Sequence, residues 1–229
     1  MKLVKWEQLP NNMKLDAVRP YYDVLSTKKA QLCAKRMFDV TASAVMITVL
    51  SPLIAGVSLA IKIDSEGPVF YRQTRVTQYG REFKIFKFRS MVTNADKIGS
   101  LITTENDSRV TRVGKFIRKY KLDEVPQLFN ILTGDMTYVG TRPEVPKYVA
   151  EYTDEMMATM LLPAGITSIA SIEYRNESEL LDNFTDVDEV YLKKILPQKM
   201  ILNLSMMKNF SLKRDFEIMI KTLIFVLKK

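Results

Sequence analysis

Histidine is absent from this 229-residue sequence, and cysteine occurs once, as Cys33. Catalysis by Ser-His-Asp or Cys-His groups and histidine-based metal sites are therefore excluded. One cysteine can build neither a disulfide framework nor a thiolate metal site, and we expect it to pack as a small hydrophobic residue in a reducing compartment. Any general acid or base must then be Asp, Glu, Lys or Tyr.

Internal repeats, low-complexity tracts and the glycine-rich phosphate loops of nucleotide-binding proteins are also missing. Nucleotide phosphates, if bound, must be held by Arg, Lys or a metal ion. The net charge of +8 favours anionic partners, namely nucleic acid, anionic lipid or a phosphorylated substrate. A solvated basic face without a ligand is the alternative. The length fits one domain or one and a half.

Charged residues are missing from a run of 22 positions, residues 40–61. A helix of that length can cross a bilayer, and a buried core helix is the soluble alternative. A cleavable signal peptide is disfavoured because the run begins too far into the chain. Ser51 and Pro52 lie in its middle. Proline removes a helical donor, so we expect a bend there, with the Ser51 hydroxyl satisfying a freed backbone group.

Basic residues flank this apolar run on both sides. Residues 1–36 contain eight Lys and Arg against three Asp and Glu, and residues 62–121 contain fourteen against six. Positively charged flanks favour the cytoplasmic side of a membrane. We therefore predict a kinked re-entrant membrane helix over residues 35–62, which enters and leaves by one face, rather than a spanning helix.

Two runs rich in β-branched and aromatic residues follow, over residues 69–76 and 82–91, with a turn at Tyr79-Gly80 between them. They predict a β-hairpin. Its basic side chains alternate with aromatic ones, and they are Arg72, Arg75, Lys84, Lys87 and Arg89. This surface suits phosphate groups at a bilayer surface, and single-stranded nucleic acid is the alternative.

Two adjacent carboxylates, Asp123 and Glu124, precede an apolar helical stripe that Gly134 is expected to end. Asp123 suits the N-cap position, with Pro126 in the first turn. The helix dipole would keep an acid there ionised and able to attack an electrophile. A capped surface helix without chemistry is the alternative reading.

Two arginines are candidate phosphate ligands near this pair. A predicted basic helix, which begins at Arg109, brings Arg118 to the Asp123 and Glu124 corner. Arg142 lies in a loop rich in glycine and proline, and its planar guanidinium suits bidentate phosphate binding.

The remaining segments complete a predicted α+β, mainly helical fold. Residues 1–34 read as an N-terminal surface arm and residues 92–108 as a polar connection. The catalytic domain is expected over residues 63–205, with helices after residue 144 joined by a turn over 162–167. Residues 206–229 predict a basic amphipathic C-terminal helix that lies on an anionic membrane or packs against a partner helix. Its apolar side carries Leu212, Phe216, Met219, Ile220, Leu223 and Leu227, and Lys228 and Lys229 are among its basic residues.

The ordered set of motifs resembles the bacterial monotopic phosphoglycosyl transferases, also called polyprenyl-phosphate sugar-1-phosphate transferases. The resemblance covers roughly residues 35–170. The matching pieces are Lys35-Arg36-Met37-Phe38-Asp39, Ser51-Pro52, Gly67-Pro68-Val69-Phe70-Tyr71-Arg72-Gln73, Lys87-Phe88-Arg89-Ser90-Met91, Asp107-Ser108-Arg109, Leu122-Asp123-Glu124-Val125-Pro126-Gln127, Gly134-Asp135-Met136 and Val139-Gly140-Thr141-Arg142-Pro143. Two departures from the family pattern are Thr141, where the family has proline, and a Pro-Gly-Ile-Thr pattern lengthened by Ala164.

The resemblance implies transfer of a sugar-1-phosphate from a UDP-type nucleotide sugar to undecaprenyl phosphate, the first membrane step of polysaccharide or glycoconjugate assembly. It implies that Asp123 is the nucleophile and forms an aspartyl-phosphosugar, with UMP released. Glu124 would manage the acceptor's proton through a raised pKa, because adjacent carboxylates repel. The residues expected to bind substrate phosphates are Arg75, Lys87, Arg89, Arg118 and Arg142.

The implied cofactor is Mg²⁺, with Asp123 as its protein ligand. The implied partners are the donor, the acceptor and lipids of the inner leaflet of the bacterial cytoplasmic membrane, with the catalytic domain on the cytoplasmic face. No nucleic-acid partner is expected, and a homo-oligomer stays open. A basic membrane-anchored scaffold protein is the main alternative, and it would not need Asp123. A nucleic-acid-binding module would need the run over 40–61 to be soluble core.

Overall fold

The structure is a computed structural model that describes residues 1–95, 107–177, 180, 184 and 186–227. The fold is α+β and mainly helical, as the sequence predicts. Most of the predicted connection over 92–108, and Lys228 and Lys229, lie outside the described residues. In chain order the elements are α1 (Arg19–Ser26), α2 (Lys29–Asp64), β1 (Phe70–Val76), β2 (Glu82–Phe88), α3 (Arg112–Lys119), α4 (Gln127–Thr133), β3 (Met136–Val139), α5 (Pro146–Val149), β4 (Ala164–Thr167), α6 (Ile169–Glu173), α7 (Val187–Val190), α8 (Leu196–Lys208) and α9 (Leu212–Leu227).

Helix α2 is long and apolar enough to cross a membrane by length and composition. It is buried near its two ends, at Leu32 and at Ile61, whereas no residue between positions 44 and 56 is buried. The Ser51 hydroxyl donates a 2.8 Å hydrogen bond to the carbonyl of Thr48, which lies four residues before Pro52. The side chain therefore satisfies the carbonyl that proline deprives of its helical donor. The helix runs through Pro52 without interruption, and the predicted bend stays a prediction.

The predicted hairpin is confirmed. Strands β1 and β2 pair antiparallel, from Phe70 opposite Phe88 to Val76 opposite Glu82. Helix α4 holds the hairpin through Asn130, whose Oδ1 accepts a hydrogen bond of 2.8 Å from the Phe86 amide and whose Nδ2 donates one of 3.1 Å to the Lys84 carbonyl. The hairpin is thus fastened to the helix that follows the acidic pair.

Strands β3 and β4 form a second, parallel pair, with Met136 opposite Ala164. The predicted turn over 162–167 is therefore wrong over its last four residues, because residues 164–167 are a strand. Glycine makes the pairing possible at this point. A Cβ atom on Gly165 would lie 2.2 Å from the backbone nitrogen of Gly140, so the two backbones meet at a distance that only glycine permits.

The segment predicted as a surface arm, residues 1–34, is packed into the largest hydrophobic cluster of the described chain. Met13, Val18 and Leu25 have no exposed surface. They pack with residues of distant segments, among them Leu161 and Phe210. The prediction of a surface arm is wrong. The apolar residues of this segment are scattered among polar ones without a regular period, so the sequence pattern does not reveal that they are buried.

The predicted C-terminal helix over 206–229 begins later than expected, because residues 206–208 complete α8 and α9 begins at Leu212. The buried side of α9 carries a charge. Asp215 is 6% exposed and accepts a hydrogen bond of 2.5 Å from Nζ of Lys35, which is itself buried in α2. Apolar side chains on the same helix remain exposed, and Leu223 is the most exposed of them at 61%. The others are Phe216, Ile220, Ile224 and Phe225. The ring of Phe216 contacts that of Phe38, so α9 adjoins the base of α2.

Candidate active site

Asp123 and Glu124 lie in a single 3-10 turn, Leu122–Glu124, between α3 and α4. Lys121 enters this turn in the left-handed conformation, with φ of 56°. Asp123 is not the N-cap of α4, as was expected, because that helix begins at Gln127 and no side chain caps it. The predicted end of α4 at Gly134, which has φ of 92°, is confirmed.

Glu124 holds two of the predicted phosphate ligands. Its Oε1 accepts a hydrogen bond of 2.5 Å from Nη2 of Arg142 and lies 3.4 Å from Nζ of Lys87. Arg142 comes from the loop after β3, and Lys87 comes from β2. Three separate segments thus meet at this carboxylate, and all three side chains are part-buried.

Asp123 has no such partner. It is 8% exposed, and its carboxylate makes no hydrogen bond or ion pair with any described residue. Its Oδ1 atom is fully buried and unpaired. Burial raises the pKa of this carboxyl group, and the charge of Lys87 only partly offsets the effect. A carboxylate held without a cation or a donor keeps its lone pairs available.

Glu124 shows the opposite electrostatic balance. Burial alone would raise its pKa, but Arg142 and Lys87 outweigh this effect and hold the pKa below its ordinary value. The expected raised pKa of Glu124 is therefore wrong, because the cations pair directly with Glu124 and offset the burial effect at Asp123 only in part. Burial also lowers the pKa of Lys87, and Glu124 partly restores it.

The other predicted phosphate ligands occupy different surroundings. Arg118 is half-buried, and its charge lowers the pKa of Asp123 without a direct contact. The Arg75 guanidinium donates to Gln73 and to the carbonyl of Pro143, so it supports the loop that carries Arg142. Arg89 is not brought to the acidic pair.

Arg89 instead closes the turn after α2. Its guanidinium donates to the carbonyl oxygens of Ser65 and Glu66, and only 5% of the residue is exposed. The side chain therefore ties the end of the apolar helix to the end of β2.

Sequence reasoning did not find a buried polar network behind the Arg142 loop. Glu144 accepts a hydrogen bond of 2.5 Å from the Tyr191 hydroxyl and lies 3.8 Å from Arg75 and 3.9 Å from Lys199. Lys199 also donates to Tyr191 and to Glu177. No local pattern marks these residues, because only the tertiary fold brings together segments that are far apart in the chain.

A family model for bacterial sugar transferases matches residues 30–229. The chain belongs to this family. The matched region includes all of α2 except Lys29, together with the hairpin and the acidic pair, and these segments carry motifs of the family that the sequence resembles. The first 29 residues precede the match, although they share its hydrophobic core.

Individual bacterial sugar transferases are similar over most of the chain. The UDP-N-acetylgalactosamine-undecaprenyl-phosphate N-acetylgalactosaminephosphotransferase of Aeromonas hydrophila is 35% identical, over 82% of this chain and 42% of its own length. The undecaprenyl-phosphate glucose phosphotransferase of Komagataeibacter xylinus is 38% identical, over 82% and 35%. The UDP-glucose:undecaprenyl-phosphate glucose-1-phosphate transferase of Escherichia coli is 39% identical, over 72% and 36%. The chain thus spans less than half the length of these three relatives.

Proposed function

We propose that this chain transfers a sugar-1-phosphate from a UDP-sugar to undecaprenyl phosphate through a covalent intermediate on Asp123. The proposal rests on one observation, that the two neighbouring acids have different surroundings. Glu124 is paired with Arg142 and Lys87, whereas Asp123 is buried and free. The names of the relatives supply the substrate class.

In the first half-reaction, a carboxylate oxygen of Asp123 attacks the phosphorus that carries the sugar. The bond from that phosphorus to the bridging oxygen of the diphosphate breaks, and UMP leaves with the electron pair. In the second, a phosphate oxygen of undecaprenyl phosphate attacks the same phosphorus and releases the Asp123 carboxylate. Each step exchanges one phosphorus–oxygen bond for another, so no oxidant or reductant is needed.

In this scheme Glu124 positions the side chains of Arg142 and Lys87. Two anionic substrates approach an anionic nucleophile, so positive charge must be present at the phosphorus. Arg142 and Lys87, fixed by Glu124, supply that charge, and Arg118 adds to it at Asp123. A carboxylate with a lowered pKa is poorly suited to carry the acceptor's proton, so we assign Glu124 no proton transfer.

The residues fit a Mg²⁺ ion that is bound largely by substrate. No group of three or more His, Cys, Asp or Glu in the described parts of the chain could form a protein cage for a metal. Mg²⁺ is often held by one or two carboxylates together with substrate phosphates and water, and the unpaired carboxylate of Asp123 would be its protein ligand. When bound, the ion would neutralise charge on the diphosphate.

The packing of α2 supports a re-entrant topology. Lys35, near its first end, is hydrogen bonded to Asp215 and to the Val139 carbonyl. Asp64, at its other end, accepts a hydrogen bond from the Val113 amide at the start of α3. Both ends are therefore joined to one globular body. The middle of the helix has no buried residue and contacts that body only through partly buried side chains such as Ile47, Leu50 and Ile54. A straight spanning helix would carry its two ends to opposite sides of the membrane.

A single experiment tests the chemistry. The purified protein is incubated with UDP-glucose, UDP-galactose or UDP-N-acetylgalactosamine, each labelled in the sugar, before any lipid acceptor is added. We expect a covalent labelled protein and one equivalent of UMP with an accepted donor, and no label on Asp123→Asn. Near-wild-type turnover by Asp123→Asn would overturn the assignment of the nucleophile.

A further inference from the structure

Gln127 is a buried polar residue without a hydrogen-bonding partner. It is 1% exposed, and its Nε2 atom is fully buried and unpaired. Its side-chain amide makes no hydrogen bond with any described residue. Leaving a buried donor unpaired costs about 1–3 kcal/mol, so such a group calls for an explanation.

The position of Gln127 relates it to the nucleophile. It lies four residues after Asp123, and the backbone of Val125 and Pro126 between them is helical. Side chains four residues apart on helical backbone lie on the same face. A buried amide donor and a buried carboxylate oxygen thus lie about one turn apart, and each is unpaired.

The next polar residue on this helix behaves differently. Asn130 is as buried as Gln127, but both of its amide atoms are paired with the backbone of β2. Burial within α4 therefore does not by itself prevent pairing. Along this stretch of the chain, Asp123 and Gln127 each have an unpaired buried atom, whereas Asn130 is paired.

We propose that Gln127 is a substrate-binding residue whose Nε2 donates a hydrogen bond to a phosphoryl oxygen of the sugar phosphate at Asp123. The inference rests on the proposed function and deepens it. A diphosphate supplies both features that the site lacks, an acceptor for the amide and an electrophilic phosphorus for the carboxylate. A neutral donor can bind the phosphoryl oxygen without adding a further ion pair to Asp123.

The test replaces the amide by an apolar group of similar shape, in Gln127→Met. Two quantities are measured on the full chain: the thermal midpoint of unfolding without substrate, and the rate of covalent phosphosugar formation from the accepted UDP-sugar. We expect an unchanged or raised midpoint, because an unpaired buried donor is removed. We expect labelling to slow by about 100-fold, the typical effect of losing one donor to a developing oxyanion.

Asn203→Leu is the matched control. Asn203 in α8 also has a fully buried, unpaired polar atom, Oδ1, but it has no part in the site. We expect this variant to keep the wild-type labelling rate. Gln127→Leu serves as a second donor-free variant if the methionine variant does not fold.

The outcomes separate this inference from the proposed function. A wild-type labelling rate in a folded donor-free variant, Gln127→Met or Gln127→Leu, would overturn the inference and leave the function intact. Absence of label on the wild-type protein with all three donors would overturn the function itself. Slow labelling with a strongly lowered midpoint would assign Gln127 to packing and would also overturn the inference.

Discussion

Arg142 donates a hydrogen bond of 2.5 Å to Glu124, and this contact joins the loop after β3 to the turn that carries Asp123. The two residues are 18 positions apart in the chain. Their pairing raises the pKa of Arg142 and lowers that of Glu124, so both groups are held in their charged forms. The neighbouring Asp123 is left without a cation of its own.

Loss of the charge on Glu124 should impair the reaction while leaving the nucleophile in place. In Glu124→Gln, Arg142 loses its ion pair and Lys87 loses its nearest anion. We expect the labelling rate with an accepted UDP-sugar to fall by about 100-fold, because misplacement of a catalytic group by an ångström can cost that much. The labelling rate of Arg142→Lys should also fall, because lysine keeps the charge but lacks the planar guanidinium group. A wild-type rate in Glu124→Gln would contradict this role.

Removal of divalent metal should abolish formation of the covalent intermediate. Treatment with EDTA withdraws the ion that we expect to bind the unpaired Oδ1 of Asp123 and the donor phosphates. Addition of Mg²⁺ in excess of the chelator should restore labelling, whereas Na⁺ at equal ionic strength should not. Full labelling in EDTA would show that the arginine and lysine side chains suffice.

Breaking the ion pair between Lys35 and Asp215 should destabilise the protein strongly. Asp215→Asn leaves the Lys35 charge buried and unpaired, and loss of one partner of a buried pair costs about 3–5 kcal/mol. Glu189→Gln removes the exposed pair with Lys193 and should leave stability almost unchanged, because solvent screens that pair. Denaturant unfolding in detergent measures both variants. Equal effects would argue against a structural role for the buried pair.

The N-terminal segment should contribute to the stability of the whole domain. Leu25 has no exposed surface and packs in the largest cluster, so Leu25→Ala should lower the free energy of unfolding by about 2–5 kcal/mol. Leu180→Ala is a fitting control because Leu180 is 54% exposed. An unfolding curve that matches the wild type would mean that residues 1–28 fold independently of the core.

The topology of α2 should depend on Pro52. Tags before Met1 and in the turn after Lys62 should both be accessible from the cytoplasmic side if the helix is re-entrant. Pro52→Leu restores a helical donor to the Thr48 carbonyl and favours a straight helix. We expect a fraction of this variant to expose the second tag on the opposite side. Tags on opposite sides in the wild type would indicate a spanning helix.

Much of the fold follows from local pattern. The apolar run over 40–61, the alternating residues of the hairpin and the glycine at 134 each specify an element without help from the rest of the chain. The parallel pairing of β3 with β4 does not, because its strands have four residues each and the register depends on the contact of Gly140 with Gly165. The packing of residues 1–28 likewise depends on partners that are distant in sequence.

The residue types available for chemistry are a property of the sequence alone. Because the sequence has no histidine and no second cysteine, the acidic pair and the basic residues near it are the candidates for catalysis and phosphate binding. The family motifs indicate which of these residues have a role. The roles of the two acids depend on tertiary structure. Long-range contacts bring Arg142 and Lys87 to Glu124 and leave Asp123 and Gln127 unpaired. The physical reason is that burial and charge pairing depend on segments that meet only in the folded chain, and these effects shift the pKa values of two adjacent carboxyl groups in opposite directions.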